Sequence, residues 1–317
     1  MSWFILSLIT MMCWGCADLF YKKGTDEDDA QSHLKIAVWV GLVMGVAALI
    51  LLPLTETAFS FDSFLSGALK YSPASLSYIL SMVIGYAGLR YLEVSIISPI
   101  QNASGAFSLI VMAVFFAATG AMESFMDEFA VIDIIGTVLI IAGVVALAFV
   151  EHKLHETIAD KKSKYRFSAL ALLFPIAYCL FDTIGTAADG IILDEESSLG
   201  LGEIDVLVLY GLTFFLAGVL TYLYMLIKNK HVYNPFAIGE RDKCFAALFE
   251  EGGQVFYVFA MASRPMLAAP LVASYCIVSV ILSRIFLKEK LKKTQYACVF
   301  TVIAGIVLLG ISEGLNA

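Results

Sequence analysis

Long apolar runs separated by short polar breaks dominate the chain. Each run is continuous rather than alternating and holds about 20 residues, which is the length that a helix needs to cross the hydrocarbon core of a bilayer. Alternating strands of a membrane barrel are therefore not expected. We predict ten transmembrane helices, at roughly 3–22, 34–54, 72–90, 94–119, 130–150, 167–190, 204–227, 243–262, 266–287 and 294–312.

The composition agrees with an all-α integral membrane protein and predicts no cofactor. Of 317 residues, 60% are hydrophobic and only 15% are charged, which is less charge than soluble domains carry. No basic patch interleaved with aromatics is present, so we expect membrane lipid and no nucleic acid as a partner. Cys13 and Cys16 form a C-x-x-C pair without the further ligands of a zinc site, and no metal site is predicted.

The basic residues are segregated by connection between the predicted helices. The odd-numbered connections hold 18 of the 20 Lys and Arg residues, and only Lys70 and Arg264 lie on the opposite side. Short loops rich in Lys and Arg stay in the cytoplasm. The distribution therefore predicts that both termini are outside, and we expect a multi-pass protein of the plasma membrane.

The two halves of the chain, 1–155 and 156–317, show an internal repeat. "MMCWGCADLF" is similar to "PIAYCLFDTI", "YAGLRYLEVSIISPI" to "YVFAMASRPMLAAPL", and "GTVLIIAGVVAL" to "CVFTVIAGIVLL". These alignments pair Asp18 with Asp182, Tyr86 with Tyr257, Pro99 with Pro270 and Gly143 with Gly305. Because each half has an odd number of helices, the second must be inverted, and inverted repeats build secondary transporters with a site near the midplane.

Three features together resemble a known family. They are "WG" in the first helix, the A-x-P-L pattern at 268–271, and "FLKEKLKKTQYACVFTVIAGIVLLG". The chain resembles the EamA group of the drug/metabolite transporter superfamily. The resemblance implies two inverted five-helix repeats around a central cavity, no ATP hydrolysis, and structural acids at Glu289 and Asp127. Many relatives are drawn with both termini in the cytoplasm, so both orientations stay open.

Two adjacent acids, Glu250 and Glu251, lie inside the eighth apolar run. An ionised side chain at the centre of a membrane helix costs about 2.5–3.5 kcal/mol. Both carboxyl groups are therefore expected to face protein or a water-filled cavity. Glu250, Gln254 and Tyr257 share one helix stripe at i, i+4 and i+7, which favours Glu250 for substrate or proton handling. A structural carboxyl bonded to a neighbouring helix is the alternative.

Further polar residues lie within the predicted helices. Asp18 and Asp182 each follow an aromatic residue by one helical turn, and other polar groups follow Pro99 and Pro270, where a bend is expected. Snorkelling to water, bonds between helices and interfacial aromatic belts are the alternatives. The remaining candidates for substrate binding or proton coupling are Asp18, Trp14, Asp182, Tyr178, Gln101, Asn102, Ser274 and Tyr275.

These observations predict a secondary active transporter of a small-molecule solute that works by alternating access and couples to a proton or another cation. A cationic or zwitterionic metabolite, such as an amine or an amino acid, is favoured because the deep charges are acidic. The rival hypothesis is a membrane-embedded enzyme using Asp18 and Asp182, although neither lies in a GxGD or YD motif. A sensor is a third alternative. Oligomeric state, coupling ion and direction of transport stay open.

Overall fold

The computed structural model describes residues 1–26, 29–55, 61–122, 129–158, 169–194, 201–229, 232–288 and 291–316, and these ranges contain helices and no strand. The turn acids Glu289 and Asp127 lie outside the described residues. Lipid cannot hydrogen-bond a backbone, so a helix, which satisfies its own peptide groups, is the element that such apolar runs form.

The described residues form twelve α-helices, six of them in the first half of the chain. They are α1 (Trp3–Gly24), α2 (Ser32–Leu51), α3 (Phe61–Gly88), α4 (Val94–Asn102), α5 (Ser104–Thr119) and α6 (Val131–Ile158). Two of the predicted boundaries were wrong. The third helix begins at Phe61 instead of 72, and α6 continues to Ile158, so that the connector predicted to start at Glu151 is still helical there.

Six more helices cover the second half. They are α7 (Leu173–Ile192), α8 (Glu203–Asn229), α9 (Arg241–Ser263), α10 (Pro265–Ala273), α11 (Cys276–Leu282) and α12 (Lys293–Asn316). A short π-helix, Ser283–Leu287, extends α11.

Seven helical segments of the described ranges are long and apolar enough to cross a membrane. They comprise α1, α2, α4 with α5, α6, α8, α10 with α11, and α12. The other predicted segments coincide with α3, α7 and α9, which are helical but more polar. The number of ten membrane-spanning helices therefore stays a prediction.

The fourth and ninth predicted segments are both interrupted helices. Ala103 separates α4 from α5, and Ser274 and Tyr275 separate α10 from α11. Each interruption follows a proline, Pro99 or Pro270, by four residues. The helices are therefore interrupted at the places where these prolines led us to expect bends.

The most extensive helix packing joins the two halves of the chain. Helix α1 packs on α9, α2 on α8, α3 on α7, and α6 on α12. Glycines allow the closest of these approaches. A Cβ atom added to Gly136 would lie 3.0 Å from the carbonyl oxygen of Gly305, and one added to Gly143 would lie 3.1 Å from that of Cys298. The core is thus formed between the halves and not within each of them.

An ion pair stabilises the connection between α1 and α2. Lys35 Nζ lies 2.7 Å from Asp29 Oδ2, and the backbone N–H of Gln31 donates to Asp29 Oδ1 at 2.9 Å. Partial burial raises the pKa of Asp29, but the bonds from Lys35 and Gln31 outweigh burial and hold the pKa below its usual value. This loop therefore contributes an ion pair at neutral pH.

Candidate functional site

A central cavity of about 50 Å³ lies where helices from both halves meet. Aromatic, acidic and amide side chains dominate its walls. The polar and aromatic residues that line it are Trp14, Asp18, Tyr21, Tyr78, Tyr86, Gln101, Asn102, Ser104, Tyr178, Asp182, Thr186, Tyr210, Glu250, Gln254, Tyr257 and Tyr275.

Helix α9 presents one stripe of polar residues to this cavity. Glu250, Gln254 and Tyr257 all line it, as their spacing of four and three residues along a helix requires. Each is almost completely buried within the protein. Glu250 Oε2 accepts a hydrogen bond from the hydroxyl of Tyr21 at 3.3 Å, and Tyr21 in turn accepts one from Tyr86 at 3.1 Å. A chain of hydroxyl groups therefore leads from α3 to the Glu250 carboxyl.

The crossing of α1 and α9 sets the position of Glu250. Trp14 Nε1 donates to the Glu250 carbonyl oxygen at 3.1 Å, and the Thr10 hydroxyl lies 3.2 Å from the Gly253 carbonyl oxygen. A Cβ atom at Gly253 would lie only 2.3 Å from the Trp14 ring. Because residue 253 is glycine, the indole can rest directly on α9, with its ring centre 5.0 Å from that of Tyr257.

Serine hydroxyl groups hold the two aspartates. Asp18 Oδ2 accepts hydrogen bonds from Ser98 at 2.7 Å and Ser279 at 2.6 Å, which lie on α4 and α11. Asp182 Oδ2 accepts one from Ser104 at 2.6 Å, at the start of α5. Both carboxyl groups are thus tied to the interrupted helices, and both residues line the cavity.

Two features of the cavity wall bear on binding. The hydroxyls of Tyr78 and Tyr257 are 2.8 Å apart, and Tyr78 also contacts the Thr186 hydroxyl at 3.3 Å. Gln254 is only 2% exposed, and its Nε2 has no hydrogen-bond partner among the described residues. A buried amide without a partner costs about 1–3 kcal/mol, which a bound acceptor would recover.

The charge of the lining is one-sided. Asp18, Asp182 and Glu250 are acidic, and no Lys or Arg lines the cavity within the described ranges. Lys22 lies near one end, but its ammonium donates to the carbonyl oxygens of Leu89 at 2.6 Å and Leu92 at 3.0 Å. The cavity therefore combines carboxyl groups with aromatic faces, a combination suited to a positively charged group.

Ten of the twelve residues predicted from the sequence line this cavity. The two others, Glu251 and Ser274, do not. Glu251 follows Glu250 by about 100° around α9, and this rotation takes its side chain off the stripe that faces the cavity. The Ser274 hydroxyl bonds instead to the Leu271 carbonyl oxygen at 2.6 Å, at the end of α10. A role in solute or proton binding stays a prediction for all twelve.

Several lining residues were not among the sequence candidates. They are Tyr21, Tyr78, Thr186 and Tyr210. Helical spacing offered a signal for some of them: Thr186 follows Asp182 by four residues, and Tyr21 follows Asp18 by three. No such signal identifies Tyr210, whose membership depends on how α8 packs.

The helices and the cavity define the class of protein. The described residues include seven apolar helical segments long enough to span a bilayer, and four of these segments contribute residues to the polar cavity. The chain is therefore a multi-pass integral membrane protein. Residues 196–311 match the model of the EamA-like transporter family. Over these residues, the resemblance to the EamA group of the drug/metabolite transporter superfamily is thereby confirmed.

Two further comparisons complete this picture. No curated protein matches the chain. Among solved structures, one titled "Crystal structure of protein" superposes with a TM-score of 0.59 and 11% sequence identity, covering 99% of this chain and 99% of that chain. At that identity the similarity concerns the fold alone.

Proposed function

We propose that this protein is a secondary active transporter of the plasma membrane that moves a small cationic or zwitterionic metabolite by alternating access. The observation that carries the proposal is the position of Glu250. Its buried carboxyl group lines a cavity walled by aromatic rings, without a lysine or arginine among the described lining residues. The EamA-like match of residues 196–311 supports a transporter and not an enzyme.

The proposal includes ten helices in two inverted five-helix repeats, 1–155 and 156–317. Mirrored contacts support it. The sequence alignment pairs Gly143 with Gly305, and the same offset pairs Gly136 with Cys298. Gly136 contacts Gly305, and the equivalent contact, Gly143 with Cys298, is also present. Such reciprocity is what a two-fold axis between repeats produces.

A second mirrored contact lies at the cavity. The alignment pairs Trp14 with Tyr178, and the offset that pairs Tyr86 with Tyr257 also pairs Met82 with Gly253. Trp14 packs on Gly253, and the Tyr178 hydroxyl lies 3.7 Å from Met82 Sδ. Equivalent aromatic residues of the two halves thus lie on equivalent helices across the interface.

The chemistry of the lining favours an ammonium group. A cation over an aromatic face gains about 0.5–2 kcal/mol, more as water is excluded. Trp14 is flanked by Tyr257 and by Tyr275, whose ring centre is 5.7 Å away, and Glu250 supplies the opposite charge. For a zwitterion, the unpaired Nε2 of Gln254 would donate to the carboxylate.

The rival class, an enzyme of the aspartyl protease type, needs two carboxyl groups that share a proton. In the described structure, Asp18 bonds to Ser98 and Ser279, and Asp182 bonds to Ser104. These serine contacts suit two separately held carboxyl groups better than a shared-proton pair. No observation in the described residues favours hydrolysis, so one function is proposed.

Flux into liposomes tests the proposal. Purified protein is reconstituted, and uptake of labelled choline, putrescine and lysine is measured with and without a pH gradient. We expect Glu250→Gln to abolish uptake of the transported probe. Glu251→Gln, one residue further along α9, is expected to retain uptake because its side chain does not line the cavity.

Two outcomes would contradict the proposal. If only anionic solutes are moved, the charge argument from Glu250 is wrong. If none of the three probes is moved while purified protein cleaves membrane substrates, the transporter proposal itself is wrong.

A further inference from the structure

Asp189 on helix α7 is a buried carboxyl group outside the cavity. It follows Asp182 by seven residues and Thr186 by three, so that all three lie along one side of α7. Its side chain is fully buried, with an exposed fraction of 0%. Unlike Asp18, Asp182 and Glu250, it does not line the cavity, and the solute-binding residues do not account for it.

Asp189 has no conventional partner. The hydroxyls of Tyr71, Tyr78 and Tyr257 are close enough to interact with its carboxyl group. However, neither Asp189 oxygen has a hydrogen-bond partner of normal geometry in the described structure, and the Tyr71 hydroxyl also has none. A buried ionised carboxyl group left in this state would be strongly unfavourable. A positive charge at the carboxyl group would remove this cost.

No side chain of the surrounding helices supplies that charge. The titratable groups that face Asp189 are Tyr71 and Tyr78 of α3, Tyr257 of α9 and Asp182 of α7, and Tyr210 of α8 lies further off. The neighbouring helices α5 and α10 contain no titratable residue. With only acids and phenols around it, the smallest cation, a proton, satisfies the site.

We propose that Asp189 binds the coupling proton at a site separate from the solute cavity, and that its protonation state decides whether the hydrogen bond between Tyr78 and Tyr257 holds. This inference rests on the proposed transport function. Tyr78 and Tyr257 both line the cavity and both neighbour Asp189. The tyrosine pair therefore separates the proton site from the solute site.

Counting hydroxyl hydrogens shows how the coupling works. Each phenol has one hydrogen to donate. If Tyr78 donates to Thr186, then Tyr257 must donate to Tyr78, and this is compatible with their 2.8 Å separation and with a neutral Asp189. An ionised Asp189 is acceptor-only and competes for the same hydrogens. When the carboxyl releases its proton to water, Tyr257 turns towards the carboxylate and its bond to Tyr78 breaks.

The consequence is a link between α3 and α9 that depends on protonation. Tyr78 lies on α3 and Tyr257 on α9. With Asp189 neutral, the two helices are joined at the cavity wall. With Asp189 ionised, they are released. Because Asp189 is fully buried, exchange of its proton with water itself requires this part of the bundle to open.

Infrared difference spectroscopy of purified protein tests proton binding without any transport. The carboxyl C=O band is followed while the pH is changed, and wild type is compared with Asp189→Asn. We expect one titrating carboxyl to be lost in this variant. Asp133→Asn is the matched control, because Asp133 is also buried but lies on α6 and accepts a hydrogen bond from the Ala130 N–H at 3.1 Å. It is expected to leave that band in place.

Flux measurements then test coupling. For whichever of choline, putrescine or lysine the wild type transports, Asp189→Asn is expected to lose accumulation driven by a pH gradient while retaining exchange of labelled for unlabelled probe. Tyr71→Phe, which keeps the carboxyl group, is expected to shift the midpoint of the Asp189 band. It keeps the test decisive should Asp189→Asn fail to fold.

The outcomes separate this inference from the proposed function. If Asp189→Asn leaves the carboxyl spectrum unchanged, or if it keeps gradient-driven accumulation, Asp189 is not the coupling site. If Tyr71→Phe leaves the midpoint unchanged, the tyrosine cluster does not act on Asp189. If the wild type moves none of the probes and cleaves membrane substrates while the Asp189 band titrates, proton binding at Asp189 stands and the transport proposal fails.

Discussion

The contact between Gly253 and Trp14 allows a sharp test of the packing at the cavity. In Gly253→Ala, the new Cβ atom would lie 2.3 Å from Trp14 Cδ1 and 2.4 Å from Nε1. Ordinary contacts of this kind begin at 3.4 Å, so the indole must move by about 1 Å. Its 3.1 Å hydrogen bond to the Glu250 carbonyl oxygen would then exceed hydrogen-bonding distance.

The magnitude follows from three terms. Overpacking costs about 1–3 kcal/mol, and loss of the hydrogen bond costs about 0.5–1.5 kcal/mol. Replacing a helical glycine by alanine returns about 0.5–1 kcal/mol. We therefore expect Gly253→Ala to lower the free energy of unfolding by roughly 1–3 kcal/mol in total.

The neighbouring glycine is the matched control. A Cβ atom at Gly252 meets only Cys13 Sγ, at an ordinary distance of 3.9 Å. Gly252→Ala should therefore be neutral or stabilising by up to about 1 kcal/mol. Unfolding of both variants is measured in detergent by titration with sodium dodecyl sulfate, with tryptophan emission as the signal. Equal stabilities of the two variants would refute the packing argument.

Three further predictions use other parts of the molecule. Gly305→Ala should lower the free energy of unfolding by about 1–3 kcal/mol, because its Cβ atom would lie 2.6 Å from a backbone oxygen of α6. Gly314→Ala should leave the stability unchanged, because its Cβ atom meets nothing within 4 Å. Unfolding of both variants in detergent tests this difference. Gln254→Met should stabilise the ligand-free protein by about 1–2 kcal/mol, since it removes an unpaired buried amide, while weakening binding of the transported probe in a thermal-shift titration. Asp29→Asn should cost less than about 1 kcal/mol at neutral pH. Because the pKa of Asp29 is lowered in the folded protein, this difference in stability should disappear as the pH falls through that pKa and the wild-type carboxyl becomes neutral. Unfolding of both proteins across pH measures the difference. A difference that persists in acid would exclude the Lys35 ion pair as its source.

The sequence was sufficient to predict where the helices lie because hydrocarbon imposes a length and a composition on each of them. It also predicted the interruptions after Pro99 and Pro270. It was less successful at helix ends outside the bilayer. Helix α6 continues to Ile158 through polar residues, where no hydrophobic constraint marks a boundary and ordinary helix propensity decides.

The candidate site was predictable where one helix supplies several members. The stripe of Glu250, Gln254 and Tyr257 needs only the helical period, and all three line the cavity. Partners from different helices were not predictable in this way. The bonds of Ser98 and Ser279 to Asp18 join residues 80 and 261 positions away, and only the packed bundle places them together. Asp189 was overlooked because it lies near a predicted helix end, where an acid is expected to reach water.

The cross-chain pairing of helices has a mechanical consequence. Helix α1 is fastened to α9 by Trp14 and Thr10, while α3 packs on α7 with Tyr178 against Met82. Each pair takes one helix from either half of the sequence. In any rocking motion, the rigid bodies would then be these mixed helix pairs and not the N- and C-terminal halves. Cutting the polypeptide between the halves would leave both helix pairs intact.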